Sequence, residues 1–303
     1  MTGFSRAPPN ATRSRCKALL AHIASLLFWT VAPANVADTA TTAQAPGVDD
    51  TVIAHLKSHG LREPTIIGHI DLTKPFATTS SWTLVVAQDS APPPEISDIE
   101  EHGPITICFV RDRAPDCSEK LYDNVPNEQR WFGTPFYIRD NRVVYVGPVN
   151  TRPLLLLKTC GARSGNGSCG IATALYAYDR QADRFHKTFG NVTGSNNNQA
   201  TRFVENGPLL GNVIVNYPTD NAPYTYWIEL HRMATSGRFV RVLRYRGSTR
   251  YGDGDPLAVI DSEMPEILRR LGLWRKGDPL PIPTNRAEDC AHPVMRKGEE
   301  WCK

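Results

Sequence analysis

Five carboxylates crowd the stretch "RYGDGDPLAVIDSEMPEILRRLGLW", Arg250 to Trp274: Asp253, Asp255, Asp261, Glu263 and Glu266. Carboxylates at this density can hold a cation or supply an acid–base pair. Asp253 and Asp255 flank Gly254, and such a turn can offer two oxygens to Ca²⁺, which takes about six to eight oxygen ligands. The spacing of an EF-hand loop is absent, and Asp-Gly is equally a tight-turn signature. The expectation is a turn that takes Ca²⁺ weakly at most, with no other cofactor. The other three acids have a structural account. Met264, Ile267, Leu268 and Leu271 recur at helical spacing, so Asp261 or Ser262 stands where an N-cap belongs and Glu263 and Glu266 meet the positive end of the helix dipole.

Acids elsewhere leave a second chemistry open. Glycoside hydrolysis needs two carboxyl groups about 5 to 9.5 Å apart, and Asp220 in "PTDNAP", Asp253 and Asp255 are the loop carboxylates available for it. Their convergence in one concave pocket is the condition for that reading. No G-x-S-x-G nucleophile elbow occurs, and the nearest stretch, "SGNGSCG", is a cysteine-bounded loop. His55 and His59 share a helix face at i and i+4, and His69 follows, but Leu56 stands where H-E-x-x-H places its Glu. They read as histidines on the polar face of an amphipathic helix. No residue is assigned as catalytic.

Two polar loops suit ligand contact. "GNVTGSNNNQ" presents Asn196 and Asn197, and "YPTDNAPYTYW" interleaves Asp220, Asn221 and Tyr224 with other aromatics, a mixture of donors, acceptors and rings that fits a carbohydrate or a peptide. Asn-rich loops also simply turn a chain. The arginines Arg238, Arg241, Arg244, Arg246 and Arg250 are expected to pair with the acids that follow them.

These residues need elements to hold them. "DDTVIAHLKSHG" predicts one short N-terminal helix with Asp caps and a closing Gly60. Beyond it the pattern turns to period two: "SWTLVVA", "PITICFV", "TPFYIR", "RVVYV", "PLLLLKT", "GIATALYAYD", "RFHKTF", "ATRFV", "NVIVNY", "YTYWIEL" and "RFVRVLRY". Such β-branched, aromatic runs bounded by Gly, Pro, Asn and Asp predict antiparallel strands. No long helices alternate with them, which argues against a parallel α/β sheet. The expected fold is mostly β, an irregular propeller-like or sandwich domain with a short helix at each end. A weak repeat supports this. "PLLLLKTC…IATALYAYD…RFHKTF" lines up with "NVIVNY…YTYWIEL…RFVRVLRY", and the Asp183-Arg184-Phe185 and Gly237-Arg238-Phe239 turns lie 54 residues apart. "WTLVVAQDSAP" with "PITICFVRDRAPDC" reads as a degenerate earlier unit.

The chain begins with Arg6, Arg13, Arg15 and Lys17, then the apolar run "ALLAHIASLLFWTVA" and the small-residue stretch "PANVADTA". That is the three-part pattern of a secretory signal, shorter than the roughly 20 apolar residues of a membrane helix, with cleavage after Ala34 or Ala37. Residues 1–37 are thus a signal peptide, 38–48 a flexible lead-in, 49–276 a single mostly-β domain and 277–303 an extended arm closed by a disulfide. Without the signal the chain holds 30 basic and 31 acidic residues, a net charge of −1, which argues against nucleic acid as a partner. Six of the seven cysteines remain. They fall in three local pairs, Cys108/Cys117, Cys160/Cys169 and Cys290/Cys302, and three disulfides are expected in an oxidising compartment. The reading is a periplasmic or secreted binding or structural protein. Its partner is an unknown ligand or protein at the cell exterior, and it keeps no stable membrane span once the signal is cut. The rival is a carboxylate-dependent hydrolase of a glycan or cell-wall substrate.

Overall fold

The computed structural model describes residues 47–98, 100–118, 121, 134–147, 152–164, 168–195, 198–219, 224–247, 259–279, 293–296 and 299–302. All lie in the compact unit Thr41–Lys303. The fold is mostly β, with short helices before and after the main sheets.

Three four-stranded antiparallel meanders follow one another along the chain. The first contains β1 (Pro64–Asp71), β2 (Trp82–Asp89), β3 (Ile105–Arg111) and β4 (Ala114–Asp116), the second β5 (Pro135–Val146), β6 (Arg152–Gly161), β7 (Gly170–Asp179) and β8 (Arg184–Gly194). The third contains β9 (Ala200–Phe203), β10 (Val213–Pro218), β11 (Tyr226–Met233) and β12 (Phe239–Arg246). Every strand pairs with its neighbour in sequence. The strands matched by the sequence repeat hold the second, third and fourth places of their meanders. Its two turn-closing residues, Asp183 and Gly237, both have positive φ, 43° and 79°, the left-handed conformation that lets a short turn close.

The sheets stack in layers, and the cores show the order. Helix α1 (Val48–Ser58) covers the outer face of the first sheet through Val48, Val52 and Leu56 against Val85, Ala87 and Val110. Trp82, Leu84, Ile107 and Phe109 on its inner face meet Leu155, Leu157, Ala172 and Tyr176 of the second sheet. The opposite side of that sheet, with Leu154, Leu156, Leu175 and Phe189, packs on Phe203, Val213 and Val215 of the third. Helix α3 (Val259–Arg270) then closes the far face, laying Met264, Ile267 and Leu268 on Ile214, Ile228 and Leu230. The run Leu154-Leu155-Leu156-Leu157 is a direct consequence of a two-sided layer. Successive side chains of a strand point to opposite faces, and here all four leucines are at most 1% exposed, alternating between two cores. Each such side chain contributes roughly 1.5–3 kcal/mol on burial.

Two local disulfides are formed. Cys108–Cys117 ties β3 to the residue just past β4, and Cys160–Cys169 joins the end of β6 to the start of β7. The pairing of Cys290 with Cys302 lies outside the described residues. The tail carries a hairpin, β13 (Pro293–Arg296) with β14 (Glu299–Cys302), where an extended arm was expected. A further one-turn helix, α2 (Thr73–Phe76), lies between β1 and β2. Such local disulfides fit an oxidising compartment, and among the described residues no helix is long and apolar enough to cross a membrane.

Both helix starts differ from expectation. Helix α1 begins on Gly47, whose φ of 99° suits glycine, so Asp49 and Asp50 sit within the first turn instead of capping it. Helix α3 is in progress by Val259, which puts Asp261 inside it. Asp261 is therefore no N-cap. It is buried in an ion pair with Arg202, while Glu263 accepts a hydrogen bond from Tyr245 Oη at 2.8 Å. Glu266 binds Arg269 and Arg270 at 2.6 and 2.7 Å.

Candidate functional site

Antiparallel meanders in file bring alternate connections to one end. Gln88 Nε2 donates to Phe136 O at 3.2 Å, which aligns the ends of the first two sheets, and Cys169 N donates to Ser195 Oγ at 2.8 Å beside the start of the third. This upper end carries the connections between 89 and 105, 116 and 135, 161 and 170, 194 and 200, 218 and 226, and 246 and 259. The lower end carries 71–82, 111–114, 146–152, 179–184, 203–213 and 233–239, none of them as long as 89–105, 116–135 or 246–259.

Asn196, Asn197, Asp220, Asn221, Asp253 and Asp255 lie outside the described residues, but the stems of their loops are defined. Asn198 O accepts Asn216 Nδ2 at 2.6 Å, Thr219 N donates to Thr225 O at 2.8 Å, Arg246 Nε donates to Thr225 Oγ1 at 3.1 Å, and Gly247 N donates to Tyr226 O at 2.8 Å. All three polar loops thus leave the upper end of the third sheet. Tyr224 is half-buried against the core under α3, its ring edge-on to Tyr226 at 6.3 Å. His55 and His59 stack on each other at 4.2 Å, and His69 pairs with Asp49 at 2.9 Å. Among the described residues no group of three or more His, Cys, Asp or Glu is placed to hold a metal ion.

Beneath these loops runs a polar network that the sequence reading missed. Glu229, on the face of the third sheet turned toward the second, is paired across the strands with Val215 on one side and Arg244 on the other. Its carboxylate accepts from Tyr217 Oη at 3.0 Å, His231 Nε2 at 3.1 Å and Arg241 Nη1 at 2.8 Å, and lies 3.3 Å from Arg244 Nε. Burial alone would raise its pKa, but the hydrogen bonds from His231 and Tyr217 and the charge of Arg241 bring it below the usual carboxylate range. Glu229 is therefore a fixed anion at neutral pH, suited to holding guanidinium groups and not to donating a proton. Arg244 also lies over the Trp227 ring, 4.2 Å from its centroid, and donates to Tyr217 Oη at 3.0 Å. Arg241 and Arg244 thus pair with a residue that precedes them on β11, and not with the acids that follow, because cross-strand neighbours lie closer than the next connection. The signal was present in "WIELH". On a period-two strand Trp227, Glu229 and His231 share a face.

A second buried network fixes the loop between β2 and β3. Glu100 accepts from Tyr137 Oη and, at 2.5 Å, from the backbone N–H of Arg163, whose guanidinium sits 4.3 Å from the Tyr137 ring centre. Burial and the adjacent Glu100 carboxylate push the Tyr137 hydroxyl up to about 12. This cluster pins the disulfide loop to its neighbour.

In and around the third sheet several buried polar atoms lack hydrogen-bond partners. Asp261 Oδ1 binds Arg202, but Asp261 Oδ2, Asn216 Oδ1 and Asn198 Nδ2 make no hydrogen bond.

The chain matches no protein-family model, no curated protein and no solved structure.

Proposed function

We propose that this chain is an exported β-rich binding protein that meets its ligand at the upper end of the third sheet. One observation carries the reading: the stems of the loops holding Asn196 and Asn197, Asp220 and Asn221, and Asp253 and Asp255 all leave that end. Loops set on a rigid scaffold are where proteins concentrate recognition, and the two disulfides fit work outside the cytosol. The test is a panel of soluble and insoluble cell-surface glycans and peptides, read for retention of the mature chain. Asn196→Ala/Asn197→Ala and Asp220→Ala/Asn221→Ala variants should lose retention without losing melting temperature. Undiminished retention in both would sink the reading.

The second reading, a glycan hydrolase, is favoured by one detail. The stems of the Asp220 loop and of the Asp253/Asp255 loop are hydrogen-bonded to each other through Thr225 and Tyr226, so their carboxylates spring from neighbouring strands. Release of new reducing ends from a retained glycan, abolished by Asp253→Asn or Asp255→Asn, would replace binding with hydrolysis. A weak Ca²⁺ at Asp253 and Asp255 belongs to either version. It requires the melting temperature to rise in millimolar Ca²⁺, since a ligand bound only by the folded state stabilises it by mass action.

A further inference from the structure

We propose that the β12 side of the third sheet grips a linear anionic polysaccharide through Arg241, Arg244 and Arg246 beside the Trp227 ring. The stretch "RFVRVLRYR" would scatter its arginines over both faces if β12 were regular. It is not. Leu230 pairs with Leu243 and His231 with Arg241, so Val242 is an extra residue, a β-bulge. A bulge shifts the alternation by one and re-aims the side chains beyond it. Arg241, Arg244 and Arg246 therefore stand opposite His231, Glu229 and Trp227, three residues on one face of β11.

The row is held in advance and is reachable. Arg241 is anchored on Glu229, Arg244 on Glu229, Tyr217 and the Trp227 ring, and Arg246 on Thr225. The Arg241 and Arg244 side chains are still 47% and 40% exposed. One carboxylate thus carries two guanidinium groups, and the face stays positive although the whole chain without its signal is near neutral. A guanidinium fork fits a carboxylate or sulfate through two parallel hydrogen bonds. At about 3.4 Å of rise per strand residue, positions two or three apart recur at roughly 7 to 10 Å, which suits a polymer charged at regular intervals. The adjoining aromatic ring offers a flat face for a sugar, and β12 is the terminal strand of its sheet among the described residues. Completion in an oxidising compartment favours an acidic glycan over nucleic acid as the polyanion.

This inference goes beyond the loop reading, and the loop variants leave the arginine row untouched, so either can fail alone. The experiment is calorimetric titration of the mature chain with polygalacturonate, with uncharged dextran and with single-stranded DNA, at about 50 and 200 mM NaCl. Binding to polygalacturonate, weakened by salt and reduced about ten-fold or more in Arg241→Gln/Arg244→Gln, is the expected result. Arg269→Gln/Arg270→Gln on α3 should bind as wild type. Should the double variant fail to fold, Trp227→Leu replaces it and is expected to weaken binding several-fold. No binding, equal affinity for dextran, tighter binding to DNA, or indifference to these substitutions overturns the proposal.

Discussion

At the lower end Asp183, in the turn between β7 and β8, has both carboxylate oxygens engaged. Oδ1 accepts from Tyr178 Oη at 2.7 Å and Trp82 Nε1 at 2.9 Å, and Oδ2 from Ser80 Oγ at 2.7 Å and Arg111 Nη1 at 3.5 Å. Ser80, Trp82 and Arg111 belong to the first sheet or its connections, so one turn residue fastens two layers. Around it Phe185 packs against Phe76, Trp82, Phe109 and Tyr178. Asp261, on α3 and paired with Arg202 at the middle of the third sheet, is the contrary case. Its side chain is fully buried, yet only one oxygen has a partner, Arg202. Buried polar groups are nearly always hydrogen-bonded, so the lower end has the character of a finished joint. Asn216 and Asn198, nearer the upper end, likewise keep hydrogen-bonding capacity in reserve. Hydrogen-bond saturation thus sets the Asp183 joint apart from Asp261, Asn216 and Asn198 of the third layer.

The contrast is open to attack at several points. The largest effect is expected at Arg202. Arg202→Ala leaves the buried Asp261 charge uncompensated and should lower stability by about 3–5 kcal/mol, while Arg202→Met/Asp261→Leu should restore most of it; chemical denaturation of both measures this. Opening the Cys160–Cys169 loop by Cys160→Ser/Cys169→Ser should lower stability by about 2–4 kcal/mol, read by the same unfolding curves under non-reducing conditions. At the lower end, hydrogen bonds from Tyr178, Trp82 and Ser80 hold Asp183 down to about 2 against an ordinary 3.8. A depressed carboxyl contributes stability that is complete above its unfolded value and is lost as pH falls through the folded one. The melting-temperature gap between wild type and Asp183→Asn should hold steady from pH 7 to about 5 and close as pH approaches about 2. A gap independent of pH would show that the Asp183 charge is not what fastens the layers. The smallest effect is expected at Asn216→Leu, which removes one hydrogen bond together with one unpartnered oxygen. The two changes should nearly cancel, to within about 1 kcal/mol, and a cost above twice that would mean that Asn216 Oδ1 is satisfied.

Most of the framework is readable from period-two patterning, because "PLLLLKT", "GIATALYAYD" and "NVIVNY" are too apolar and too β-branched to serve elsewhere. β1 is not readable that way. Gly68 interrupts "PTIIGHID" and the register shifts between Ile66 and Gly68, so the strand shows neither a clean alternation nor a solid apolar run. "TPFYIR" and "RVVYV" read as two strands and form one, β5, whose register shifts twice. α3 is legible from its apolar face, but its first turn is not. Asp261 and Glu263 look like helix-dipole residues until the third sheet supplies Arg202 and Tyr245, partners far off in sequence. The Glu229 network was half visible, in the shared phase of Trp227, Glu229 and His231. Its arginines were hidden because the bulge at Val242 breaks the period that would have aligned them.

The file order of the strands also bears on how the chain reaches this state. Each sheet is made from consecutive segments, and each formed disulfide joins cysteines nine positions apart, so nearly all of the pairing is local for so β-rich a protein. Folding slows as contacts become more distant in sequence, and chains grow and fold from the N-terminus onward. A chain delivered across a membrane N-terminus first can complete one meander, and oxidise its own cysteine pair, before the strands of the next have emerged. At that moment each cysteine's nearest available thiol is its native partner, and the apolar face left waiting is covered by the layer that arrives next.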